Sequence, residues 1–260
     1  MDSLAVVVIT RDEEENLAEC LDSVPFADEI IIVDDGSSDS TLDVAGRYTE
    51  KVFRRRLDRF GRQKQFAIEQ ANADWILVLD ADERVTPELA QSIKSVLAES
   101  GPIDGYRLRR RTWLFSEPVT CTGWYKFAHL RLFRRGKARY VDRRVHEFPE
   151  LENPDRCGRL QGDLDHFTYA SLDEYREKLD RYSRLAASDW YDAGRRVTWI
   201  TAPWWMLVVP WAAFVREFFV QGGWRGGRVG LRIAAMSRES AALTVRYLRR
   251  LTVGAMTPSP

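Results

Sequence analysis

Asp80-Ala81-Asp82 places two carboxylates one residue apart, directly after the apolar run Trp75-Ile76-Leu77-Val78-Leu79. Two hard oxygen ligands on a turn at a strand end suit Mg²⁺ or Mn²⁺, which bind through few protein carboxylates and complete their shells with substrate phosphate oxygens. Taken alone, a pattern this short also describes an ordinary acidic loop. A second acidic cluster, Asp34-Asp35-Gly36-Ser37-Ser38-Asp39-Ser40-Thr41, ends the run Glu29-Ile30-Ile31-Ile32-Val33. A carboxylate at the end of an early strand of an α/β sheet accepts hydrogen bonds from a base N–H or from ribose hydroxyls, and Asp34 and Asp35 are placed for this. The alternative is a turn in which Ser37, Ser38 or Asp39 caps the next helix. One loop can do both.

Other residues are candidates with bland alternatives beside them. Lys64 has the charge to offset a diphosphate, or is an exposed helix lysine. Arg131, Arg134, Arg143 and Arg144 are able to receive an anionic acceptor or the donor phosphates, or form a solvated basic face. His146 and His166 suit a metal shell or the orientation of a neighbouring acid, or are satisfied structural histidines. His129, inside Phe127-Ala128-His129-Leu130, reads as packing.

The elements that must hold these groups alternate between β-rich runs and amphipathic stretches over the first hundred residues, which predicts βαβ units around a mostly parallel sheet. Strands are expected at Ala5–Ile9, Glu29–Val33, Lys51–Phe53 and Trp75–Leu79. Helices are expected within Thr10–Ser23, with Leu17 and Leu21 on one face, after the Asp34–Thr41 cluster, and over Gly61–Ala73. Both acidic clusters then lie past the carboxyl ends of strands, where open α/β sheets bind ligands. Residues 105 to 167 read as mixed strands and long loops, and Ser171–Asp192 as a helix.

The tail differs in character. Val197–Val215 is nineteen residues without a charge, and five of the nine tryptophans fall between Trp199 and Trp224. The run has nearly the twenty residues of a membrane span, but Pro203 and Pro210 interrupt it and arginines flank both sides, which suits interfacial or re-entrant helices. Ten arginines and two acids between Arg195 and Arg250 give this segment +8, so the remainder of the net-neutral chain carries −8. A basic, Trp-rich segment suits an anionic membrane surface, and its apolar content speaks against nucleic acid. A buried hairpin or an oligomer contact is the alternative. Cys20, Cys121 and Cys157 form no Cys-x-x-Cys pair and Met1-Asp2-Ser3 opens no secretory signal, so a cytosolic N-terminus is expected.

Together the stretches Val6–Thr10 with Asp12-Glu13, Ile31–Thr41, Lys64 with Ala67 and Ala71, and Asp74–Glu83 resemble the family 2 inverting glycosyltransferases, most closely the bacterial lipopolysaccharide-core glucosyltransferase branch. Leu130–Phe133, Val145-His146-Glu147 and His166 extend the resemblance to about residue 190. Asp12 stands where many members carry Asn, and Ala73 where Gly is usual. The resemblance implies an α/β GT-A fold over residues 1–194 and, beyond it, a helical membrane-associating region over 195–260. It implies transfer of a sugar from a nucleotide-diphosphate donor, a UDP-sugar, to a lipid-linked or lipopolysaccharide-core acceptor, with inversion and with Mg²⁺ or Mn²⁺. Thr10, Glu13, Asp34, Asp35, Lys64 and Asp80 would bind the donor. Asp82 would ligate the metal with His146. Glu147 would be the base that removes the acceptor proton, with Asp142, Glu150, Asp163 and Asp165 as alternatives. The enzyme would work at the cytoplasmic face of the plasma membrane. Two other readings are a nucleotidyltransferase, for which Thr10–Glu15 lacks a glycine-rich phosphate loop, and a nucleotide-sugar-binding protein without turnover.

Overall fold

The computed structural model describes residues 1–99, 101–122, 125, 128–140, 148–169 and 172–257. The chain forms two compact units, residues 1–111 with 127–166, and residues 112–126 with 167–260.

In the first unit β1 (Leu4–Thr10), β2 (Glu29–Asp34), β3 (Val52–Arg54) and β4 (Trp75–Asp80) lie parallel in the order β3-β2-β1-β4. The sheet continues with β8 (Ala128–Arg134), antiparallel to β4, then β6 (Gly105–Leu114), β11 (Cys157–Tyr169) and β5 (Glu83–Val85). A separate hairpin pairs β9 (Ala138–Tyr140) with β10 (Pro149–Leu151).

Alternation along the central strands makes three layers. Leu4, Val6 and Val8 of β1 and Leu77 and Leu79 of β4 pack on α1 (Leu17–Asp22) and α4 (Pro87–Ala98). Ala5 and Val7, with Ile76 and Val78, face α3 (Phe60–Glu69) on the other side. Because both faces are covered, these strands read as unbroken apolar runs. Each fully buried Val, Leu or Ile contributes about 1.5–3 kcal/mol, so this patterning holds the register. That register opposes Thr10 to Asp34 and Ile9 to Asp80, which sets the two acidic clusters on either side of the end of β1.

Two local devices lie just after the Asp80-Ala81-Asp82 turn. Thr86 caps α4 by accepting from the Leu89 N–H at 3.4 Å, and Pro87 occupies the first turn. Gly162 has φ +85°, and a Cβ there would stand 2.4 Å from the Leu89 nitrogen, so β11 crosses this helix start only with glycine at that point.

The second unit is helical. α5 (Leu172–Asp192) packs along α7 (Gly227–Thr252) through Ala187, Val245 and Leu248, and the Tyr175 hydroxyl donates to Glu239 at 3.1 Å. Between them the π-wound turn Trp204–Val208, α6 (Val209–Val215) and a second π-wound turn, Arg216–Val220, follow one another. No helix of the described residues is long and apolar enough to cross a membrane. Several large apolar side chains of this segment are exposed: Trp199 is 84% exposed, Trp204 63% and Val220 75%, and Leu207, Trp211 and Phe219 are also exposed.

Candidate functional site

The turn after β4 is built on a ladder of buried charges. Lys64 on α3 reaches Asp80 Oδ1 at 2.5 Å, and Arg131 on β8 donates through one nitrogen to Asp80 Oδ2 at 2.9 Å and to Glu83 Oε1 at 2.8 Å. Glu83 Oε2 accepts from the Asp80 N–H at 2.9 Å and closes the turn on itself. Glu83 is fully buried, and Arg131 and the Lys64 side chain nearly so. Burial alone would push the Asp80 carboxyl up, but Lys64 and Arg131 hold it well below the usual carboxylate range. Glu83 goes the other way: burial pushes it up, and Arg131 only partly offsets this. Behind the turn, Arg84 donates to the Ala81 carbonyl at 3.0 Å and to Asn16 at 3.2 Å, tying it to the segment before α1.

Asp82 takes no part in that ladder. Its Oδ2 lies 3.3 Å from His166 Nε2, on β11 where that strand pairs with β5. The Asp82 carboxylate is the kind of hard oxygen ligand that Mg²⁺ or Mn²⁺ takes when phosphate oxygens complete the shell. Among the described residues no group of three or more His, Cys, Asp and Glu side chains is arranged to hold a metal. Among the described residues, the histidine beside Asp82 is His166. The expected ligand His146 and the expected base Glu147, with Asp142, Arg143 and Arg144, lie outside the described residues.

The Asp34-Asp35 cluster divides the labour between its two acids. Asp34 is fully buried, and its oxygens accept from the N–H groups of Gly36 at 2.8 Å and Ser37 at 3.1 Å and from the Ser37 hydroxyl, so it holds the turn. Asp35 accepts from the Leu57 N–H at 2.6 Å and faces Arg11 at 3.3 Å. Across the loop Asp12 sits at φ +52°, a conformation that Asp and Asn tolerate best among residues with a Cβ, so Asp stands in for Asn there. Its carboxylate accepts from the Ser38 N–H at 2.7 Å, which holds it below the usual range, and its own N–H donates to Ser37 Oγ at 2.9 Å. The Glu13 N–H donates to Thr41 Oγ1 at 2.8 Å, and the Glu13 carboxylate accepts from Asn16. Thr10 is buried beneath the loop, and its Oγ1 has no hydrogen-bond partner among the described residues.

Several expectations are corrected. Lys64 is no exposed helix lysine; it is buried against Asp80, which raises its pKa despite burial. Arg131 lies on no solvated basic face; it is nearly buried, with one nitrogen shared between Asp80 and Glu83. Arg134 lies over Trp75 and pairs with Asp2 at 3.0 Å. Asp163 and Asp165 are poor candidates for a base, since Arg109 meets Asp163 at 2.5 Å and Arg111 grips Asp165 at 2.6 and 2.8 Å. His129 stacks on Phe148 with ring centroids 4.8 Å apart, and burial together with Arg110 and Arg131 lowers it to about 4, as the packing reading requires.

The sequence reading passed over the partnership of Glu83 with Arg131. Its trace was there: an arginine inside Leu130-Arg131-Leu132-Phe133, and an acid two residues before Val85 on the same strand face, both call for a buried counter-ion.

The sequence model of the family described as Glycosyl transferase family 2 matches residues 5–141. The lipopolysaccharide core biosynthesis glycosyltransferase LpsC of Rhizobium meliloti is 33% identical over 247 residues, 93% of this chain and 90% of that protein. An uncharacterized glycosyltransferase of Rickettsia typhi is 27% identical over 243 residues, 85% of this chain and 80% of that protein. Among solved structures, S. aureus TarS 1-349 in complex with UDP has a TM-score of 0.48 at 14% identity, covering 99% of this chain and 93% of that one. The match over more than half of the chain, and a relative one-third identical along almost all of it, make this protein a member of glycosyl transferase family 2, with the family's GT-A-like α/β fold.

Proposed function

We propose that this glycosyltransferase moves a sugar from a UDP-sugar to a lipid-linked or lipopolysaccharide-core acceptor, with inversion, at the cytoplasmic face of the plasma membrane. The observation that carries the reading is the convergence of Asp82 and His166 beside a carboxylate, Asp80, that Lys64 and Arg131 keep ionised. Asp82 and His166, with His146 as a further candidate, would hold Mg²⁺ or Mn²⁺. When bound, the ion supplies positive charge against the donor diphosphate. Asp80 fixes the turn and offers its remaining acceptor capacity to ribose. Asp35 binds the base in a loop that Asp34, Ser37 and Asp12 hold rigid. Glu147 takes the acceptor proton as the hydroxyl attacks the anomeric carbon from the face opposite the leaving diphosphate. The LpsC relative supports the acceptor class.

The test compares Asp82→Ala, His166→Ala and Glu147→Gln. The first two variants should lose Mn²⁺ binding by calorimetry and lose transfer, while far-UV circular dichroism shows the fold retained. Glu147→Gln should keep donor affinity and lose about two to four orders of magnitude in turnover. Full transfer by Asp82→Ala, transfer in excess chelator, or a retained anomeric configuration would each overturn the mechanism. Donor binding without transfer or hydrolysis across candidate acceptors would favour a nucleotide-sugar sensor.

The exposed apolar face of residues 199–220 and the arginines around it support docking on an anionic bilayer. Aromatic rings favour the interface, and each arginine near the surface adds up to about 1 kcal/mol. Arg225→Gln with Arg228→Gln should therefore weaken binding to anionic vesicles by roughly 30-fold at most, with neutral vesicles unaffected. A wild-type protein that stays in solution with anionic vesicles would reject docking.

A further inference from the structure

α7 leaves one of its faces open. Arg232, Met236, Glu239, Leu243 and Arg246 recur at steps of three and four residues, and with Phe115 across from them they line a groove of about 860 Å³ within the helical unit. That volume is in the range of small-ligand sites. Its floor is apolar, from Phe115, Met236 and Leu243, while its rim is basic.

The charges divide into paired and available groups. Arg232 is engaged by Glu117 at 2.9 Å, and Glu239 accepts from the Tyr175 hydroxyl at 3.1 Å. Arg238, also lining the groove, lies with its guanidinium 4.5 Å from the centroid of the exposed Trp211 ring and meets no carboxylate among the described residues. Arg246 at the far end is exposed, and no ion pair of the described residues involves it. A groove with an apolar floor, two arginines without carboxylate partners and a single acid calls for an amphiphile. Its phosphate meets the arginines, its chains cover Phe115, Met236 and Leu243, and a headgroup hydroxyl can donate to Glu239.

We propose that this groove is a binding site for one phosphate-bearing lipid with a hydroxylated headgroup. The site deepens the membrane-docking reading, on which it rests: broad surface attraction needs only charge and exposed tryptophan, whereas this groove selects a lipid by shape and headgroup.

The experiment separates the two readings by removing the bilayer. The full chain is titrated calorimetrically with short-chain phosphatidylglycerol below its micelle concentration, with the matching phosphatidylcholine, and with inorganic phosphate. Phosphatidylglycerol should bind at one site, more tightly than either of the others. Arg238→Gln with Arg246→Gln should weaken it roughly ten-fold or more, the scale of a lost charge-assisted hydrogen bond. Arg249→Gln with Arg250→Gln, an equal loss of charge on the same helix outside the groove, should leave it within about two-fold of wild type. Ala242→Phe, which fills the groove without altering charge, should abolish binding while far-UV circular dichroism stays unchanged. Inorganic phosphate binding as tightly as the lipid, equal weakening by both arginine pairs, or full binding by Ala242→Phe would overturn the proposal. So would sedimentation showing that the face is closed by a second copy of the chain that lipid does not displace. A protein that ignores vesicles yet binds the monomeric lipid would reject docking and keep the groove; the opposite result would reject the groove and keep docking.

Discussion

Replacing Arg131 with Met tests the charge ladder under the acidic turn. Met keeps an unbranched apolar stem but removes the guanidinium, and with it the one nitrogen that donates to both Asp80 and Glu83, at 2.9 and 2.8 Å. Asp80 keeps Lys64 at 2.5 Å. Glu83, fully buried, retains the Asp80 N–H at 2.9 Å and Arg110 only at 3.9 Å. Removing one partner of a buried ion pair costs about 3–5 kcal/mol, and the surviving contacts place this case near 3 kcal/mol. Adding Glu83→Gln removes the stranded charge while its amide oxygen still accepts from Asp80, so about 1–2 kcal/mol should return in the double variant. The assay is urea unfolding of wild type, both single variants and the double variant, with unchanged m-values as the check on two-state behaviour. A pH series adds a signed test. Burial, and then Asp80 beside it, push Glu83 up against the pull of Arg131, so losing that arginine raises it further. A carboxyl raised in the folded state favours the fold at low pH, and that contribution is lost as pH rises through the folded pKa. The Arg131→Met penalty should therefore shrink from about pH 8 to about pH 5. A penalty under about 1 kcal/mol, or a coupling with Glu83 below about 0.5 kcal/mol, would refute the ladder as a structural unit.

Two further outcomes bear on the same region. Asp80 is held well below 3.8, against the opposing effect of burial, by Lys64 and Arg131, so its contribution is complete above that value and disappears as pH falls through the lower folded one. The stability gap between wild type and Asp80→Asn should be flat from about pH 8 to about pH 5 and should close between about pH 4 and pH 2 in acid-unfolding titrations. Gly162→Ala puts a Cβ 2.4 Å from the Leu89 nitrogen at φ +85°, so thermal unfolding should show a loss of roughly 2–3 kcal/mol, about 5–10 °C. A melting temperature equal to wild type would mean that β11 does not need glycine there.

The parallel core was legible in the residues because a strand covered on both faces must be apolar at every position, and Ala5–Ile9, Glu29–Val33 and Trp75–Leu79 differ little from the observed β1, β2 and β4. Paired carboxylates at the ends of two such runs were legible for the same reason: an acid that ends a buried strand must emerge at a sheet edge. Sequence alone also set the tail apart, since an uncharged run carrying tryptophans between arginines differs in character from the rest of the chain. What it left open depended on contacts between distant segments. Asp34 and Asp35 look equivalent in sequence, and only the turn geometry commits Asp34 to the Gly36 and Ser37 N–H groups. Lys64 reads as a surface residue until α3 packs on β1 and aims it at Asp80. His166 and Asp82 are 84 positions apart, and nothing local to either predicts that β11 will pair with β5 and bring them within 3.3 Å. Tertiary structure decides such partners because a charge can be buried only where an opposite charge already waits, and that position is set by the packing of the whole sheet.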